Sequence, residues 1–217
     1  MPIEQEYLMP GIYTDSDHPT VIAYTHKHIA GIVDKKEQVI AIYNAIRDDF
    51  KYNPYQLILK PYALKASYLL TKDYGYCVEK SNLFAACMRV LGIPSRLSYA
   101  NVRNHLATDK VESYLKTDLM VFHGFVEIYL DGKWIKATPV FNKQLCERLG
   151  VAPLEFDAVH DSIFQESDKS GNPFMDYEHD YGYFSDVPFE LFLAELKKHY
   201  PHIFEERIHT DKIVIDF

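Results

Sequence analysis

A chain of 217 residues that is 47% hydrophobic and 14% aromatic can bury one sizeable core and is far from the composition of a disordered segment. Its net charge of −8 and pI near 5.7 argue against nucleic acid or an anionic membrane surface as partner. No apolar run approaches the roughly 18 residues of a membrane span, and MPIEQEYLMPGIYTDSD lacks the basic-then-apolar order of a secretory signal.

The first helix is expected over 34–50, DKKEQVIAIYNAIRDDF. Asp34 and Glu37 have capping-box spacing, and Val39, Tyr43, Ile46 and Phe50 recur at helical period. The two prolines of FKYNPYQLILKPY mark loop, and a short helix follows at about 64–71. VEKSNLFAACMRVLGIP then reads as a helix over 78–91 that buries the face of Leu83, Phe84, Cys87, Val90 and Leu91. Gly92 and Pro94 stop it. Residues 95–102 alternate like a strand, and the polar 103–118 read as loop. LMVFHGFVEIYLDGKWIKATPVF places two strand-like runs on either side of Asp131-Gly132, the pair that a type I′ hairpin turn prefers. A short helix at 143–149, a loop-rich acidic and aromatic stretch over 150–187, a helix in SDVPFELFLAELKKHYP capped by Ser or Asp, and a terminal strand KIVIDF complete the chain. Helices first and strands after imply an α+β fold, with N-terminal helices packed on an antiparallel sheet. No repeat or Pro/Gly/Ser-rich linker divides it, so one domain over 1–217 is expected.

There is no CxxC, HExxH or P-loop pattern, so no metal and no cofactor is expected. Three widely spaced cysteines do not make a disulfide framework and suit a reducing, cytoplasmic setting. Cys87 lies on the apolar face of its helix and Cys146 on an amphipathic segment, so both read as packing. Cys77 differs. It follows Gly75 and precedes a helix, where unpaired N–H groups and the positive end of the helix dipole lower a thiol pKa. A nucleophilic thiol needs a base. His123 sits on the first hairpin strand and shares a face with Phe125, Glu127 and Tyr129. If Leu130 pairs with Lys133, then Trp134, Lys136, Thr138 and Val140 point to that side, and Thr138 is the diagonal neighbour of His123.

Together these residues resemble the transglutaminase-like superfamily of papain-related thiol enzymes. The resemblance rests on Gly75 and Cys77 opening a helix that ends in Gly92-Ile93-Pro94-Ser95-Arg96, on His123 in HGFVEIYLDGKW, and on Trp134 followed by Thr138-Pro139. It spans about 35–142, leaving 143–217 as a loop-rich extension. It implies acyl transfer through a Cys77 thioester with His123 as base, acting on a peptide, protein or small amide, with hydrolysis ahead of cross-linking. The family usually supplies Asp where this chain has Thr138. A neutral Thr138 can hold an imidazole tautomer but cannot balance an imidazolium by charge. Asn142 is the next choice as third member, with Asp157 and Asp161 behind it and His160 as an alternative base. The backbone N–H of Cys77 is one candidate oxyanion donor, and the second is not identified.

Other readings stay open. CVEKSN faintly resembles the C-x-E-x-N of arylamine N-acetyltransferases, with a spacing one residue too long. Thr138 is also compatible with a catalytically silent interaction module. MDYEHDYGYFSD has oxygen ligands at a spacing that suits calcium, but reads first as a solvated acidic loop pinned by its aromatics.

Overall fold

The computed structural model describes residues 5–105, 115–164, 170–171, 174–205 and 213–214. Its first helix, α1 (Pro19–His28), lies in a stretch whose pattern announces none. His18 is the cap. Its Nδ1 faces the Thr20 N–H at 3.3 Å, and Pro19 at the first turn has no N–H to satisfy. Helix α2 (Lys35–Asp49) matches its expected span, and Asp34 caps it by accepting the Glu37 N–H at 3.0 Å. Strands β1 (Lys51–Tyr52) and β2 (Gln56–Leu57) and helix α3 (Ala66–Leu69) follow. The stretch read as loop around Tyr52 therefore carries strand pairing. Strand β3 (Tyr74–Gly75) runs parallel to β1, with Tyr52 opposite Gly75.

Helix α4 (Cys77–Val90) is the centre of the molecule. Cys77 is its first residue and Tyr76 its cap, one position earlier than the helix read from the sequence. Glu79 reaches back to accept the Tyr76 N–H at 2.8 Å. The helix is not buried on one face but on all sides from Cys77 to Arg89. Its polar residues mislead a reading by periodicity because each has a dedicated partner. Lys80 donates to the carbonyls of Arg47, Phe50 and Val140 at 2.6–2.9 Å. Ser81 donates to Gly124 O at 2.9 Å, and Asn82 to the carbonyls of Tyr13 and Leu64. At the far end, Gly92 takes φ of +67°, and the Ile93 N–H returns to Met88 O at 2.9 Å, closing the helix as GIP suggests.

The main sheet is antiparallel, in the order β6-β5-β4-β7. Strand β4 (Ser95–Asn104) extends into the stretch expected as loop, most of which (106–114) lies outside the described residues. Strands β5 (Leu119–Leu130) and β6 (Lys133–Ala137) form the hairpin. Asp131 and Gly132 both have positive φ, and Leu130 pairs with Lys133, so the expected register holds up to Val126↔Ala137. It ends there. β6 stops at Ala137, and Thr138 lies beyond the ladder. A bulge at Phe122, with φ of +61°, shifts the β4–β5 register just before His123.

Helix α5 (Lys143–Leu149) falls where expected. The acidic stretch then departs from the loop reading, because residues 175–184 form β7 (Met175–Phe184), the sheet edge beside β4. Its charged side chains stand exposed along that edge, which discourages pairing with another chain. Helix α6 (Phe189–His199) buries Phe192 and Leu196, and α7 (Pro201–Glu205) follows. Asp186 does not cap α6. Its carboxylate accepts the N–H groups of Ile12, Tyr13 and Thr14, tying the N-terminal segment to the end of β7. Of the terminal KIVIDF, β8 (Ile213–Val214) pairs antiparallel with β2. No helix among the described residues is long and apolar enough to cross a membrane.

Candidate active site

Gly124 brings the sheet onto the start of α4. A Cβ built on it would lie 3.2 Å from Val78 Cα and 3.5 Å from Cys77 O, so β5 packs against the helix backbone where a side chain would not fit. Its N–H, the N–H of Val78 and the Tyr76 hydroxyl each favour the charged form of the Cys77 sulfur. His123 is the residue immediately before Gly124. The fold therefore holds Cys77 against the strand that carries His123.

The thiol is fully buried, and its surroundings overturn one expectation. The helix terminus and the three donors lower the Cys77 pKa, but desolvation outweighs them and pushes the thiol up to about 12. Burial likewise pulls His123 down to about 4. The resting pair is a neutral thiol and a neutral imidazole, not a thiolate–imidazolium pair. His123 lines a narrow cleft with Thr138, Val140, Phe141, Leu154, Ile163, Phe164 and Met175. Its Nδ1 is buried there without a hydrogen bond, and so is Thr138 Oγ1. Thr138 shares the cleft with His123 as expected but does not hold the ring. Its carbonyl is bound instead, accepting the Tyr43 hydroxyl at 3.1 Å.

The other expected third members are committed elsewhere. Asn142 Oδ1 accepts the Tyr52 N–H at 3.0 Å, and its Nδ2 donates to Gln144. Asp157 and His160 pair with each other at 2.7 Å on the surface, and Asp161 accepts the Lys136 N–H at the edge of β6. Among the described residues no carboxylate is bonded to His123, so nothing there offsets the burial that keeps the imidazole neutral. Cys87 and Cys146 are buried and form no disulfide among the described residues, and Cys146 Sγ donates to Phe141 O. The loop reading around Tyr52 hid the pairing that sets this tyrosine opposite Gly75.

His123 gives a pH signature. Its folded-state pKa of about 4 lies below the unfolded value, so between the two only the unfolded chain binds this proton. Its contribution is complete above about pH 6.5 and is lost as the pH falls toward 4. Wild type should lose about 2 kcal/mol more than His123→Gln between pH 7.5 and 5, measured by urea unfolding at each pH. Equal losses would mean that His123 is not buried neutral.

A cysteine on the first turn of a buried central helix, set against an antiparallel sheet with a histidine at the contact, has the architecture of papain-like thiol enzymes. The sequence profile of the transglutaminase-like superfamily matches residues 22–139, and the chain belongs to that superfamily. At the level of the family this is a fold of thiol-dependent enzymes. Among solved structures, a proposed cysteine protease from Cytophaga hutchinsonii is similar with a TM-score of 0.50 and 17% identity, over 79% of this chain and 62% of that one. A proposed protease from Parabacteroides distasonis (TM-score 0.39, 18% identity) matches over 55% of this chain and 23% of its own. The periplasmic domain of TgpA from Pseudomonas aeruginosa (TM-score 0.44, 17% identity) matches over 66% and 50%. The chain thus spans less than two thirds of each of these structures. No curated protein matches it.

Proposed function

We propose that the protein is a cysteine hydrolase that cleaves an amide or peptide bond through a Cys77 thioester. The observation that carries this is the seat of Cys77, the first residue of α4, whose backbone is packed against Gly124, one residue from His123. His123 takes the thiol proton as the Cys77 sulfur bonds to the carbonyl carbon and the C=O π pair moves to oxygen. Collapse of that intermediate expels the amine, which takes the proton from His123. Water, deprotonated by His123, then attacks the thioester and releases the acid and the thiol. A neutral resting pair suits general-base transfer, which does not need a carboxylate to hold a permanent imidazolium. The Cys77–His123 hydrogen bond would form on substrate binding, as catalytic contacts often tighten only in the complex. The peptide, protein or small-amide substrate and the cytoplasmic setting are part of the same proposal.

Hydrolysis and transfer separate in one experiment. A chromogenic acyl donor is offered with and without a primary amine, and the products are resolved by mass spectrometry. Acid as the main product at moderate amine supports the hydrolase. Amide as the main product would make the protein an acyltransferase of the transglutaminase or N-acetyltransferase type.

A second reading has its own support. Complete burial of Cys77 and Thr138 in place of the family aspartate favour a catalytically silent module that keeps the fold for interaction. It predicts no Cys77-dependent turnover of any acyl donor.

A further inference from the structure

Four tyrosines lie near enough to the Cys77 thiol to feel its charge: Tyr52, Tyr76, Tyr99 and Tyr200. Their hydroxyls are not equivalent. Tyr200 is fully used, donating to Leu119 O at 2.7 Å and accepting the Val121 N–H at 2.8 Å. Tyr76 lies beside the sulfur, and its hydroxyl favours the charged form of the thiol. The hydroxyls of Tyr52 and Tyr99 are buried and have no hydrogen-bond partner among the described residues. A buried hydroxyl without a partner costs roughly 1 to 3 kcal/mol, so two of them beside one thiol need an explanation.

Position separates the two. Tyr99 is 0% exposed, its ring stacked on Phe122 and tilted against Phe184, and neither ring lines the cleft of His123. Tyr52 is only partly buried and stands between the halves of the site. On one side its ring stacks on Tyr76 at 6.3 Å between centroids. On the other it meets Phe141 edge-on at 4.8 Å, and Phe141 lines the cleft of His123. Its backbone is fixed twice. The parallel β1–β3 pairing sets Tyr52 opposite Gly75, two residues before the nucleophile, and Asn142 takes its N–H. Asn142, expected near the imidazole, thus acts as a positioning residue for Tyr52.

We infer that the Tyr52 hydroxyl is the second oxyanion donor, completing with the Cys77 backbone N–H a site for the carbonyl oxygen of the substrate. This rests on the thioester chemistry proposed above. As the sulfur–carbon bond forms and the π pair moves to oxygen, the Tyr52 O–H donates a hydrogen bond to the new O⁻ and keeps its proton. Burial, and then the neighbouring thiol, hold the Tyr52 phenol well above its ordinary range, so it remains a donor at every working pH. The orphaned hydroxyl is then a polar group held ready for charge that develops only in the transition state.

Tyr52→Phe tests this with two reagents. p-Nitrophenyl acetate acylates a thiol through an oxyanion, whereas iodoacetamide alkylates it by displacement and forms none. Loss of one oxyanion donor should slow nitrophenolate release about 100-fold, while alkylation of Cys77 stays within about threefold. Because the lost hydroxyl has no partner in the folded state, the melting temperature should hold or rise, which a merely structural tyrosine would not do. Tyr99→Phe should leave acylation within about threefold. Equal acylation by wild type and Tyr52→Phe, an equal drop with both reagents, or a loss confined to Tyr99→Phe would overturn the role of Tyr52 alone. Absence of any Cys77 acylation in wild type would overturn the hydrolase proposal and this one with it.

Discussion

Cys77→Ala is expected to remove acyl-donor turnover to background, a loss of roughly 10⁴-fold or more, and His123→Ala to lower it by roughly 10³-fold. The two effects should not add, because nucleophile and base serve one proton transfer. The double variant should resemble Cys77→Ala alone. Alanine is small enough to take the buried site of Cys77, so the fold should survive, at a cost of about 1 kcal/mol for the lost thiol contacts. Circular dichroism and a thermal melt establish that the loss is chemical. Turnover that persists in Cys77→Ala, or is lost instead in Cys87→Ala or Cys146→Ala, would place the nucleophile elsewhere.

The largest effect on stability is expected at Lys80. Its ammonium is fully buried and donates to three backbone carbonyls, two of them at the C-terminal end of α2 and the third, Val140 O, just past Thr138. A positive charge is favourable at a helix C-terminus, and three N–H groups match three acceptors. Lys80→Met keeps the bulk of the stem and removes every donor. Each carbonyl left unpaired costs about 1 to 3 kcal/mol, offset by relief of a charge that burial already pulls down to about 7. We expect a net loss of about 3 kcal/mol in urea unfolding. The same bonds tie the Cys77 helix to the segment carrying Thr138, so turnover should fall even where the variant is folded. An unchanged unfolding midpoint would show that water can replace the ammonium.

The parts legible in the sequence were those that local chemistry fixes. Asp34 announces the start of α2 because its carboxylate meets a backbone N–H three residues on. Asp131-Gly132 fixes the hairpin register because both residues must take positive φ. Gly92-Ile93-Pro94 ends α4 for the same kind of reason. That Cys77 starts a helix and His123 lies on a strand is legible because both elements are locally encoded.

What escaped depends on distant partners. Helix α4 looks amphipathic, yet Lys80, Ser81 and Asn82 are buried, because carbonyls 18 to 69 residues away receive them. Asp186 looks like a helix cap and instead binds backbone N–H groups at the other end of the chain. In β7 a signal was present. Asp176, Glu178 and Asp180 alternate with Tyr177, His179 and Tyr181 at strand period, but the acidity of the stretch reads as solvated loop. The pKa of Cys77 was misjudged in direction because a helix terminus is visible in sequence and complete burial is not. Tyr52 was invisible as a site residue, since two-residue strands such as β1 carry no periodic pattern.

The most direct test of Cys77 as acyl acceptor is to trap the intermediate. Wild-type protein and His123→Ala are mixed with p-nitrophenyl acetate, quenched in acid within the first turnover, digested and mapped by mass spectrometry. One acetyl group on the peptide containing Cys77, formed in wild type and slowed by orders of magnitude in His123→Ala, is the expected result. An acetyl group on any other residue, or a Cys77 that stays unmodified while the ester is consumed, would contradict it.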